Sequence, residues 1–414
     1  MQQKRKHFRR WILPAILIVG IAAFLLFKMT RARGELQINP FPDENKGKRV
    51  LIITMQGSGG HMSAAKAIKA NLKEYQCDLL PMDNSENNES LMKTYEEIMQ
   101  SPWRRVVYNF YAPFQWHFAY LSDFIYPIMM KILPENKYAA IISVVPWLHR
   151  EIKNILLELD LDLPILIIPT DLEDPLITYN VLGFGTYWLD PTHDDIMYLL
   201  GSEKLIEQAK HLGITNVKPV SGMIINKKFT ELKNSKAQLR QELGIPLDTK
   251  VVLFLFGSCA SMEMVELFKI MQKHPEYYCV FICGKAVNIK SKLEELDKDK
   301  KCKILGFVNN VEEWMKLSDV CVGKPGPGVI SECMASGIPI VIKDGIDVML
   351  QEKYNVEYIK EKGVGETLKN WKELPKLLQS ILQNYDKYTQ TFAALPKNNA
   401  LDEVCEVVRE VVGD

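Results

Sequence analysis

The feature that most limits what this chain can fold into is a recurrence of short apolar runs. Each has a strand's length, closes on a glycine or a turn-forming pair, and leads into a helix-forming stretch. KRVLIITMQGSGGHMSAAKAIKANL, from Lys48, passes from such a run through a glycine loop into a helix. YAAIISVVP and LPILIIPTDL follow, and a second series opens near residue 249 with KVVLFLFGS, YYCVFICGK, KCKILGFV, DVCVGKPGPG and IPIVIKDG. Short buried strands alternating with amphipathic helices imply an α/β chain whose parallel sheets are covered on both faces. A length of 414 residues exceeds the usual single core, so two Rossmann-like domains are expected, 48–230 and 231–390. They should face each other across a cleft lined by the carboxyl ends of the strands, with 391–414 as a packed terminal helix.

The head of the chain is different. Residues 11–27 read WILPAILIVGIAAFLLF, seventeen uncharged residues between Lys4, Arg5, Lys6, Arg9 and Arg10 on one side and Lys28, Arg31 and Arg33 on the other. At a rise of about 1.5 Å per residue this run covers most of a thin bilayer core, and flanking basic side chains can snorkel. A cleaved signal peptide is the alternative, but no Ala-x-Ala-like site follows and the next residues are basic. A single amino-terminal transmembrane helix is therefore expected, with 34–47 as linker. The net charge of zero hides this asymmetry, since residues 1–33 carry eight Lys and Arg and no acid. A basic head on a mildly acidic body suits an anionic membrane and argues against nucleic acid. The eight cysteines show no Cys-x-x-Cys pair and no neighbouring histidines at metal spacing, so they read as reduced thiols with no metal site.

Two loops carry the chemistry. Gly57, Gly59 and Gly60 permit a tight turn and close backbone approach at a helix start, and His61 at its mouth is placed to take a hydroxyl proton. In VGKPGPGVISECMASGIPIVIKDG, a strand ends at Gly323, a loop of Gly326, Pro327 and Gly328 follows, and a helix is expected from about Val329. Free amides and the positive helix end make a receptor for a diphosphate, with Glu332 on the first turn as acceptor for the two hydroxyls of a ribose. Gly257 with Ser258, and Gly284 with Lys285, end earlier strands and read either as ligand-facing loops or as plain turns. Asp171, after a buried strand, reads as a second candidate base or as a turn former.

GSGGHMSAAKAI resembles the GGGH loop of the monogalactosyldiacylglycerol synthases and processive diacylglycerol glucosyltransferases, and more distantly that of the peptidoglycan N-acetylglucosaminyltransferase. The second loop resembles the KAGPGT-x-x-E-A signature of the galactolipid synthases at Lys324, Gly326, Pro327, Gly328 and Glu332, with Pro325 in place of alanine. Gln351, Glu352 and Asn355 form a Q-E-x-x-N pattern similar to one that contacts the donor hexose, and GFVNNVEEWMKLSDV resembles the segment whose Phe307 and Val308 would flank uracil. The resemblance implies the GT-B fold, a UDP-sugar donor and a histidine matching His61 in the active site.

It also implies a lipid acceptor, preferentially diacylglycerol. Tyr95, Pro102, Trp103 and Tyr108, with Arg104 and Arg105, fall in a region similar to the acceptor domain, where alternating aromatic and basic residues suit a membrane interface. One departure is Asp174, which stands where a histidine before proline is common. The resemblance also implies an inverting transfer that needs no metal or other cofactor. Five basic residues precede the apolar run and three follow, a margin too small to orient it, but the cytosolic supply of nucleotide sugars puts the body on the cytoplasmic side. Alternatives on the same scaffold are transfer to a lipid-linked peptidoglycan precursor, epimerisation of a UDP-N-acetylhexosamine, and a non-catalytic membrane-binding module.

Overall fold

The predicted strands form where β-branched and apolar residues run without interruption. A computed structural model describes residues 48–55, 59–81, 119–178, 188–258, 260–345 and 348–413. The amino-terminal sheet consists of β1 (Arg49–Thr54), β2 (Gln76–Pro81), β3 (Tyr138–Ser143), β4 (Ile165–Ile167), β5 (Ile196–Leu200) and β6 (Val217–Pro219), in the order β2-β1-β3-β4-β5-β6. The carboxy-terminal sheet consists of β7 (Lys250–Leu255), β8 (Tyr277–Ile282), β9 (Lys303–Leu305), β10 (Val320–Gly323), β11 (Ile340–Lys343) and β12 (Gly365–Leu368), in the order β12-β11-β10-β7-β8-β9. Every pairing is parallel, and β1, β7 and β8 are buried almost throughout because helices cover both faces. The two halves are Rossmann-like, as the alternating pattern implied.

In each sheet the strand order reverses once, between β1 and β3 in the first and between β7 and β10 in the second. Loops leaving the two strands at such a point turn to opposite faces and leave a crevice at the carboxyl edge. The glycine loop with His61 follows β1, whereas the Gly257–Ser258 loop follows β7 and Lys324 follows β10. The two most informative motifs thus sit at the two crevices.

The ends of the chain explain how the halves are joined. Helix Ala400–Val412 lies beyond the carboxy-terminal sheet in sequence, yet Leu401, Val404, Cys405 and Val408 are buried against the amino-terminal one, with Ile52, Ile68 and Ile142. The two segments that cross between halves are bonded to each other. Asn398 Nδ2 donates to the Met223 carbonyl at 2.9 Å, the Asn399 amide donates to Ser221 Oγ at 2.7 Å, and the Ser221 amide donates to Glu403 Oε2 at 2.6 Å. Gly222 gives Asn398 room there, since a Cβ would stand 2.8 Å from its Nδ2 and push that amide aside. On the other side, buried Arg240 donates to the carbonyls of Leu317, Leu247 and Thr249 and pairs with Asp319 at 2.8 Å, fastening helix Lys236–Glu242 to the start of β7. Burial raises the Asp319 carboxyl, but Lys236, the Val251 amide and Arg240 outweigh it and hold it below its ordinary value.

Among the described residues, no helix is long and apolar enough to cross a membrane. The expected anchor at 11–27 lies outside those residues, as do Gly57, Tyr95, Pro102, Trp103, Arg104, Arg105 and Tyr108. Seven cysteines are free thiols and the eighth, Cys259, is outside the described residues. Because the terminal helix completes the amino-terminal core, Leu401→Ala should destabilise that half by about 2–4 kcal/mol, the usual cost of a buried leucine truncation. Urea unfolding followed by a probe in that half checks this; an unmoved midpoint would mean that the helix is an appendage.

Candidate functional site

His61 lies on helix Gly59–Asn71 and is buried. Its Nδ1 is 2.9 Å from the Val144 carbonyl, just past the end of β3, and 2.6 Å from Thr170 Oγ1, beyond β4. A carbonyl only accepts, so Nδ1 carries the proton and Nε2 is left with a lone pair. Burial drives the imidazole down to about 4, against the opposing pull of the Val144 carbonyl, so the ring is neutral near pH 7. Trp147 packs edge-on at 5.9 Å between ring centroids. The tautomer lock comes from Val144 and Thr170, neither of which the sequence singled out.

The segment Thr170–Asp174 turns alternately to the two halves. Thr170 meets His61, whereas Asp171 faces Lys324 and Glu352 of the carboxy-terminal half. Desolvation raises the Asp171 carboxyl to about 7, the Glu352 charge adds to the rise and Lys324 opposes it. Asp174 is fully buried and accepts from the backbone amides of Trp188, at 2.7 Å, and Leu189, at 3.3 Å, while its own amide donates to Gln208. The residue that departs from the common histidine is thus an anchor for the chain at 188–189.

Across the cleft, Lys324 Nζ is 3.2 Å from Glu352 Oε1. Its aliphatic stem runs beneath two glycines, since Cβ atoms on Gly257 or Gly326 would each stand 3.3 Å from Lys324 Cε. Helix Pro327–Ser336 begins two residues earlier than the sequence suggested, with Gly326 as its cap residue and proline at the first position. Glu332 therefore lies on the second turn, not the first. Among the described residues no side chain caps the helix start and a Cβ on Gly328 would meet nothing within 4 Å, which leaves the first amides open to a ligand. Burial raises the Glu332 carboxyl to about 8, with Glu312 adding to the shift.

The remaining residues divide into those that face the cleft and those that support it. Phe307 is 64% exposed, whereas Val308 packs against the carboxy-terminal core. Gly284 has φ +55° and could carry no side chain, because a Cβ would stand 2.2 Å from the Ser258 carbonyl, which accepts from the Lys285 amide. Gly59 approaches Ser258 across the cleft, its ideal Cβ position being 3.5 Å from Ser258 Oγ; Gly60 is the exposed next residue. Gln351 and Glu352 occupy the short turn Leu350–Glu352, but Asn355 turns inward and donates to the Pro325 carbonyl at 2.7 Å. It braces the Gly326–Gly328 loop, a role that differs from the expected sugar contact.

The neutral ring can be checked directly. In the full chain with 15N-labelled histidine, the His61 ring should keep its proton on Nδ1 from pH 5 to 8 and titrate only near 4. A midpoint near the ordinary value of about 6.5 would show that the ring is not enclosed as described.

Residues 257–410 match the glycosyltransferase family 28 C-terminal domain. Over 392 residues the chain is 29% identical to the chloroplastic monogalactosyldiacylglycerol synthase of Spinacia oleracea, covering 86% of this chain and 72% of the relative. It is 26% identical to the processive diacylglycerol beta-glucosyltransferase of Bacillus licheniformis over 191 residues, 45% of this chain and 48% of that one. Among solved structures, Anabaena HepE with UDP and glucose superposes with a TM-score of 0.50 at 13% identity, covering 88% of this chain and 99% of that one. Acinetobacter baumannii MurG superposes at 0.51 and 12%, with coverages of 88% and 99%. At such identities these two report on fold alone. Two Rossmann-like halves, the carboxy-terminal domain match and similarity along most of its length identify the chain as a GT-B glycosyltransferase resembling the monogalactosyldiacylglycerol synthases and diacylglycerol glucosyltransferases.

Proposed function

We propose that the cleft transfers a hexose from a UDP-sugar to the hydroxyl of diacylglycerol, inverting the anomeric carbon. The observation that carries this reading is the electrostatic influence on Asp171, from the amino-terminal half, of the paired Lys324 and Glu352 of the carboxy-terminal half. Lys324 and the open amides at Gly328 would take the diphosphate, Glu332 the ribose, Phe307 the uracil face, and Gln351 with Glu352 the hexose. His61 and the loop of Gly57, Gly59 and Gly60 would approach from the acceptor side. The acceptor oxygen attacks the anomeric carbon as its bond to the diphosphate oxygen breaks; UDP departs with the electron pair, and the hydroxyl proton passes to Asp171. One displacement inverts the centre once. Because Lys324 and the helix end already offer positive charge to the leaving group, the transfer is proposed to need no divalent cation.

The names of the relatives support diacylglycerol as acceptor, the apolar run at 11–27 supports a single-pass anchor, and the cytosolic supply of nucleotide sugars favours the cytoplasmic membrane face for the body. The full chain, given diacylglycerol vesicles, excess chelator and labelled UDP-glucose, UDP-galactose or UDP-N-acetylglucosamine, should put label into chloroform-extractable lipid with one of the three. Glu332→Ala should abolish most of it. Labelling of only an undecaprenyl-linked precursor would move the reading to the peptidoglycan acceptor.

The proton acceptor has its own signature. A base at about 7 must lose its proton before it can act, so kcat/KM should rise with pH to a plateau, with a midpoint near 7. Asp171→Asn should remove that limb and lower turnover by roughly 10²–10⁴-fold. A profile already flat at pH 5.5 would transfer the role to His61, whose ring is neutral above about 4.

A further inference from the structure

Within Thr170–Asp174, Glu173 is the residue whose position neither half explains alone. It is fully buried, and Oε2 accepts from Thr178 Oγ1 at 2.6 Å. Oε1 is also buried, but no hydrogen bond from the described residues reaches it. Leaving a carboxylate oxygen in that condition is costly unless something completes it. Facing the carboxylate is the backbone amide of Tyr354, the second residue of helix Lys353–Lys362 in the other half. Burial raises the Glu173 carboxyl above its ordinary value, with Thr178, Lys204 and the Tyr354 amide each pulling against that rise.

That helix belongs to the carboxy-terminal half by its core, since Val356 and Ile359 are buried there. Both its ends nevertheless meet the amino-terminal half. At the far end Lys362 pairs with Glu203 at 3.1 Å, on helix Glu203–His211. At the near end the chain immediately before the helix is the turn Leu350–Glu352, with Gln351 and Glu352. Fixing the first amides of the helix fixes that turn.

We propose that Glu173 is a positioning residue: its carboxylate latches the first turn of helix Lys353–Lys362 to the amino-terminal half, so that the Gln351–Glu352 turn is set only when the halves are closed. This rests on the reading of the cleft as a UDP-sugar site. Glu173 itself touches no reacting atom; it acts through Glu352, whose charge also bears on Asp171 two residues earlier. Donor grip and acceptor base are thus assembled together, which discourages loss of the activated sugar to water before an acceptor is seated.

The test uses the full chain with UDP and with the UDP-hexose that supports transfer. Glu173→Ala should leave UDP affinity within about twofold, because the nucleotide is held by the other half, while kcat/KM for transfer falls about tenfold and hydrolysis of donor rises relative to transfer. Hydrogen exchange across 353–362 should slow when UDP-hexose binds the parent protein and should not slow in the variant. Thr178→Val, which withdraws the hydroxyl from Oε2, should show the same pattern at about threefold. Parent-like turnover and protection in Glu173→Ala, or in Thr178→Val should the first variant not fold, overturn the latch. A parent protein that binds no UDP overturns the reading of the cleft, and the latch with it.

Discussion

Parallel strands all finish at one edge of their sheet, and where strand order reverses the loops leaving neighbouring strands part to opposite faces. Everything functional in this chain depends on that geometric constraint being met twice. One reversal, between β1 and β3, brings His61 to the Val144 carbonyl. The other, between β7 and β10, folds Lys324 beneath Gly257 and against Glu352. Each crevice alone holds half the chemistry, and the segment after β4 reaches from one toward the other.

The cleft also has a common electrostatic logic. Desolvation favours the neutral form of any titratable group, raising acids and lowering bases. It moves His61 to about 4, Asp171 to about 7 and Glu332 to about 8. Near neutral pH, therefore, the cleft carries less negative charge than its sequence suggests, and Lys324 stands out as a cation partly exposed beside a helix end. Such a balance suits an arriving diphosphate, whose charge would otherwise meet the full charge of both acids.

Much of this was legible in the residues, for identifiable reasons. The strands with long apolar runs, β1, β3, β4, β7, β8, β10 and β11, announce themselves through composition, and GKPGPG does so because a glycine-flanked proline at a helix start has few other uses. QCDLLP, IMYLL, VKP and GETL were not singled out, being short or interrupted by polar residues; the sheet recruits them by pairing to longer neighbours. The position of Glu332 was off by a turn because proline begins the helix instead of preceding it. Asp174 was misleading because its partners are backbone amides at Trp188 and Leu189, and an amide has no letter in a sequence. Thr170 was hidden likewise, since its value depends on a histidine 109 residues away. Glu173 carried one clue, being one of three acids among four residues shortly after a buried strand.

The return of helix Ala400–Val412 to the amino-terminal sheet has a consequence for synthesis. Domains emerging from the ribosome ordinarily fold in order, the first before the second is made. Here the first half lacks part of its own core until residues 400–412 leave the exit tunnel, although strand β6 was completed at Pro219. At about 5–20 residues per second, the intervening stretch keeps that core open for roughly 10–40 s. Through that interval Ile52, Ile68 and Ile142 lack the side chains of Leu401, Val404 and Val408 that cover them in the finished protein. The nascent chain thus presents an apolar face that helix Ala400–Val412 covers in the finished fold, and a ribosome that stalls before residue 400 releases a half-covered sheet in place of a working first domain.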